Sequence, residues 1–76
     1  MISSILSLAD DYCDDRGLDL DSVLDTSDKS ELTVKQRHGL IRHVVEHMPE
    51  VKHYIIGQAL GMNHNTIGYI VRKQKN

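Results

Sequence analysis

The stretch from Ile56 to Ile70, IGQALGMNHNTIGYI, constrains the fold of this chain more than any other. Two helices that meet across a tight turn need a small residue in the first helix, a glycine at the turn, and apolar residues at set offsets around both. Ile56, Gly57, Leu60, Gly61, Met62, Ile67 and Ile70 stand at those offsets, so the spacing predicts a helix-turn-helix over about 51–74. The pattern certifies the helix pair and not its use, because a purely structural helical hairpin carries the same one.

The rest of the chain also has helical periodicity. Ile2, Ile5, Leu6, Ala9, Tyr12 and Cys13 predict an amphipathic helix over about 2–15, closed by Gly17. Leu18 and Leu20 lead to a short helix capped by Asp21 and carrying Val23 and Leu24, and residues 25–30 form a polar loop. A long helix over about 31–48 turns Val34, Ile41, Val44, Val45 and Met48 inward and Lys35, Arg42 and Glu46 outward, and Pro49 ends it. A fourth, near 51–60, buries Ile56, Ala59 and Leu60; Gly61 supplies a left-handed residue. Asn63 caps a fifth over about 64–74, with Ile67, Ile70 and Val71 inward. The expected fold is all-α: one domain over residues 1–76, a compact bundle of four to five helices with a C-terminal helix-turn-helix. With three Tyr and no Trp or Phe, packing falls to Ile, Leu, Val and Met. A chain of this size buries only about 60% of its unfolded surface, so the core is thin.

Charge separates along the chain. Residues 1–31 hold nine acids against two bases, a balance of −7; residues 32–76 hold two acids against seven bases, a balance of +5. The formal net charge of −2 therefore hides a dipolar molecule with a basic C-terminal half, which also holds all five histidines, and this bears on partners rather than on fold. Apolar runs such as Val44-Val45 and Ile55-Ile56 are far too short to span a membrane or form a secretory segment, which makes the expected compartment the cytoplasm. Cys13, the single cysteine, excludes an internal disulfide and a cysteine-rich zinc site; on the apolar stripe of the first helix it reads as a small buried hydrophobe.

If the last helix enters a major groove, its N-terminal residues face base edges: Asn63, His64, Asn65 and Thr66, with Tyr69 further along. Asn pairs with adenine in bidentate fashion, and the Thr methyl can touch that of thymine. Candidate phosphate contacts are Lys29, Lys35, Arg37, Arg42, Lys52, Arg72, Lys73 and Lys75, which would hold register without reading sequence; a solvated basic surface is the plainer account of any one of them. Gly68, a poor helix former, lets the helix come close either to DNA or to the first helix of the pair.

With these residues in place, the chain resembles the C-terminal DNA-binding domain of the bacterial replication initiator DnaA. Residues 2–12 resemble its opening helix, Asp21-Ser22-Val23-Leu24 the segment before its loop, and Arg37 the arginine that begins its long helix. Residues 56–67, IGQALGMNHNTI, resemble its signature Ile-Gly-x-x-Phe-Gly-x-Arg-Asp-His-Thr-Thr-Val. The resemblance covers nearly the whole chain and is strongest in its last twenty residues. It implies that His64 and Thr66 lie in the major groove and that Asn63 stands where the family has a base-contacting aspartate; Asn65 replaces a threonine. It also implies a changed and weaker specificity. Met62 stands where the family has arginine, and in the loop Thr26-Ser27-Asp28-Lys29 only Lys29 remains to serve as the minor-groove cation, beside an Asp28 that repels phosphates; each lost contact removes about 1–3 kcal/mol. No Gly-x-x-x-x-Gly-Lys-Ser/Thr stretch occurs, so an ATPase module is not expected in this chain. The expectation is a free-standing regulator of transcription or replication, of a size suited to a phage or mobile element.

Catalysis is not expected. His43-Val44-Val45-Glu46-His47 fits the H-x-x-E-H pattern of inverted zinc proteases, but a third ligand could come only from Glu50 or His53, and a cleft is hard to build on so thin a core. Asp10, Asp11, Asp14 and Asp15 lack the spacing and the glycine of a calcium loop; they read as a solvated face or, as an alternative function, as a surface docking a protein partner. Neither metal nor cofactor is implied.

Overall fold

In a computed structural model of the chain, which describes residues 2–25 and 27–74 and only the backbone of 73 and 74, the first apolar stripe becomes helix α1 (Ile2–Asp15). Ile5, Ala9 and Cys13, four residues apart, are its buried line; Ile2 and Leu6, expected inward, are exposed, Leu6 to one side of that line and Ile2 on its face at the first residue of the helix. Gly17 takes φ +67°, and the Leu18 N–H reaches back to the Cys13 carbonyl at 2.7 Å, closing the helix in a Schellman turn.

Asp19 rather than Asp21 stands at the N-cap of helix α2 (Leu20–Val23), its carboxylate accepting the Ser22 hydroxyl and no backbone N–H, and Asp21 falls inside the first turn. Helix α3 (Glu31–His47) starts at Ser30, whose hydroxyl accepts the Thr33 N–H. Asp28 braces the same turn: its carboxylate accepts the Ser30 N–H and the Thr33 hydroxyl, both at 3.0 Å. Those bonds hold the Asp28 carboxyl below its ordinary range. Helices α4 (His53–Leu60) and α5 (His64–Gln74) complete the bundle, and the described residues contain no strand.

All five helices feed one core, in which Leu40, Ile41 and Val44 of α3 meet Ile5 and Ala9 of α1, Val23 of α2, Ile56 and Leu60 of α4, and Ile67 and Ile70 of α5. Helix α1 packs on α3 and α4, and α3 also supports α5. The inward line of α3 is rotated from the expected one. It runs Arg37, Leu40, Ile41, Val44, and Val34, Val45 and Met48 lie at its half-buried margin.

Arg37 is therefore a correction to its expected role on phosphates. Its guanidinium is buried, with Nε donating to the Val23 carbonyl at 2.9 Å and a terminal nitrogen to the carbonyls of Asp25 at 2.6 Å and Asp28 at 3.1 Å. The side chain binds the end of α2 and the following loop to α3, and three of its five N–H donors are engaged by these carbonyls.

A row of rings closes the α1–α3 contact. Arg16 sits 3.8 Å over the Tyr12 ring, Tyr12 lies 4.7 Å from His43, and His43 lies 4.1 Å from His47; the Tyr12 hydroxyl rests against Gly39, where a Cβ would stand 2.9 Å away. The two histidines of the H-x-x-E-H stretch thus stack on each other, and His47 Nδ1 lies 2.9 Å from the His43 carbonyl oxygen. Burial, then His47 and Arg16, push the His43 imidazole below its ordinary value near 6.5, with Glu46 pulling the other way. The unfolded chain takes up this proton first, so the stability His43 contributes is present above pH ~6.5 and is lost as pH falls towards its folded value. Thermal melts are expected to be flat above pH ~7 and to fall below ~6.5. The fall is expected to shrink in His43→Phe, which keeps a ring and removes the titration. It stands apart from the acid loss carried by Asp25 and Asp28, whose carboxyls titrate below the ordinary range.

Candidate nucleic-acid interface

The turn between α4 and α5 is fixed by backbone rather than by side chains. Gly61 adopts φ +73° and ψ 32°, a left-handed conformation that glycine enters without penalty. The Met62 N–H bonds the Gly57 carbonyl at 2.7 Å, folding the turn onto α4. A Cβ at Gly57 would stand 2.5 Å from the Met62 carbonyl oxygen and 3.4 Å from the His64 nitrogen. Helix α5 therefore starts directly against Gly57, and its direction follows from that contact.

Asn63 caps the new helix. Its Oδ1 accepts the Asn65 N–H at 2.8 Å, and its carbonyl accepts those of Thr66 and Ile67. This narrows its expected base-reading role. Bidentate pairing with adenine uses both amide atoms, and one of the two lone pairs of the oxygen is already engaged in the cap.

Ile67 and Ile70 are buried, and Val71 is half-buried. With about 100° per residue, the opposite side carries Asn65, Gly68, Tyr69 and Arg72 at i, i+3, i+4 and i+7. Asn65, Tyr69 and Arg72 are exposed, as are the flanking His64 and Thr66. Of the two accounts of Gly68, close packing on α4 is not needed: a Cβ there would meet only His53 Nδ1, at an ordinary 3.8 Å. The glycine instead leaves a dent in the outward face. Around it His53 of α4 joins His64, Asn65, Gly68, Val71 and Arg72 of α5 in an open concavity of about 430 Å³. His53 has no place in a motif reading of α5; it arrives because the first turn of α4 lies beside the middle of α5.

The expected phosphate contacts are more dispersed. Lys52 is the exposed N-cap of α4, immediately before His53, and Arg72 is exposed on α5. Lys35 and Arg42 share one face of α3, two turns apart; Lys35 pairs with Glu31 at 3.3 Å, an exposed bond worth about 0.3–0.5 kcal/mol that a phosphate can displace. Lys29 is exposed in the loop before α3. Lys75, the Lys73 side chain and Thr26 lie outside the described residues. Asp10, Asp11, Asp14 and Asp15 are all exposed on α1, with Asp15 3.7 Å from Arg16. Among the described residues no group of three or more His, Cys, Asp or Glu side chains is placed to hold a metal ion, and no helix is long and apolar enough to cross a membrane. Comparison with family models, curated proteins and solved structures finds no match to the chain.

Proposed function

We propose that this chain is a sequence-specific double-stranded DNA-binding module, a small cytoplasmic regulator of transcription or replication that presents α5 to the major groove. The observation that carries the reading is the outward face of α5. Asn65, Tyr69 and Arg72, exposed, and the half-buried Gly68 form a stripe that takes no part in the core, within a segment, residues 51–76, that contains no Asp or Glu. Asn65 retains a side-chain amide able to donate and accept, which suits adenine; Thr66 and Tyr69 flank it. Lys52 and Arg72 border the face and suit phosphates, with Lys35 and Arg42 of α3 as further cations. The initiator-like signature at residues 56–67 supports the same use, and no catalytic step belongs to the reading.

Selection from random duplexes at low salt tests binding and target together. The expected result is an enriched motif. Asn65→Ala is expected to lose preference at one position of it, at about 1–3 kcal/mol, whereas Lys52→Ala weakens all sequences alike and lowers the slope of log K against log salt by about one. A selection that enriches nothing refutes the proposal.

A further inference from the structure

We propose that the concavity over Gly68 seats one backbone phosphodiester of the bound duplex, held by His53 of α4 and by His64 and Arg72 of α5. This rests on the DNA reading and reassigns His64 from the bases to the backbone.

The lining supports an anion. Three of its six residues, His53, His64 and Arg72, present nitrogen donors, Asn65 adds an amide, and no carboxylate takes part. Among the described residues, none of these four side chains makes a hydrogen bond, apart from the backbone contacts of the Asn65 N–H, or an ion pair with another protein group. Their donors are thus available to a ligand: His53 is half-buried and His64, Asn65 and Arg72 are exposed, and bonds from a cationic donor to an anion are the stronger ones. The floor is the Cα of Gly68, so a phosphate oxygen can approach the helix itself, as it could not over a side chain. About 430 Å³ leaves room for the phosphodiester and part of its flanking sugars. Because the donors come from two helices, the contact would also fix the rotation of α5 in the groove. Asn65, Tyr69 and Thr66 then remain on the side towards the bases.

The test uses the full chain and the selected duplex with one phosphate at a time replaced by an uncharged methylphosphonate. The expected result is one strand position at which replacement weakens binding about tenfold in the natural protein, and at which the same replacement has a clearly smaller effect in His53→Ala or Arg72→Ala. Gly68→Ala is expected to weaken binding to the intact duplex while its melting temperature does not fall, since a Cβ there is accommodated. A duplex that binds but shows no position coupled to His53 and Arg72 overturns the phosphate site and leaves the DNA reading standing. Absence of any duplex binding at low salt overturns both. Inorganic phosphate that saturates the His53 and His64 ring resonances while the methylphosphonate scan is silent overturns the duplex as the source of the anion.

Discussion

Arg37→Ala is expected to cost about 3–4 kcal/mol of unfolding free energy in urea titrations. Three carbonyls, those of Val23, Asp25 and Asp28, receive the guanidinium, and bonds to a charged donor contribute about 1.5–3 kcal/mol each where water is excluded. The two loop carbonyls are only partly buried, so water recovers some of the loss. A domain of 76 residues has about 4–11 kcal/mol in all, and the variant is expected to sit close to its threshold. Buried ion pairs can often be replaced by apolar groups without loss, but here the acceptors are main-chain atoms that no substitution removes. Arg37→Met separates the two contributions: it keeps the stem in the core and removes all three guanidinium bonds, leaving the Asp25 carbonyl the Asp28 N–H. Arg37→Lys, with a point charge in place of a fork, is expected to recover only one of them. Should Arg37→Met prove as stable as the natural chain, the carbonyl bonds contribute nothing.

The second large effect concerns a single methyl group. Ala for Gly inside a helix ordinarily stabilises by about 1 kcal/mol, and Gly68→Ala is expected to follow that rule. Gly57→Ala, in the same hairpin, is expected to have the opposite sign. Its new Cβ would lie 2.5 Å from a main-chain oxygen and 3.4 Å from a main-chain nitrogen, and neither atom can swing aside as a side chain can. Either the start of α5 moves or the turn at Gly61 opens. Overpacking of this kind costs about 1–3 kcal/mol; against the gain in helix propensity the net loss is about 2 kcal/mol at most, a drop of roughly 8–16 °C for a domain of this size. Duplex affinity is expected to fall further than stability accounts for, because the displaced element is the reading helix. Equal melting temperatures for the Gly57→Ala and natural proteins would show that the turn yields without cost.

Both effects mark the boundary of what the sequence makes legible. The helices, the left-handed Gly17 and Gly61 and the Asn63 cap could be read from local spacing, since each is determined within a few residues. The inward line of α3 could not. Its stripe passes through Arg37, and a charged residue there shifts the apparent apolar face towards Val34, Val45 and Met48 while hiding the fully buried Leu40. Only the three carbonyls, 9 to 14 residues earlier in the chain, make that position favourable for an arginine, and periodicity carries no information at such separation. The candidate site divides in the same way. The stripe from Asn65 to Arg72 lies on one helix and follows from its period, whereas His53 reaches it from another helix and depends on how α4 crosses α5.

The contact between Gly57 and the Met62 carbonyl has a consequence for how such a protein can diversify. The direction of α5 is set by main-chain atoms and its anchorage in the core by Ile67 and Ile70, whereas positions 65, 66, 69 and 72 are exposed and lie outside the core. A library varied at those four positions is expected to keep its fold while its target drifts. Recognition could then be rewritten in small steps without rebuilding the scaffold, so that new specificities are reachable from old ones through folded intermediates.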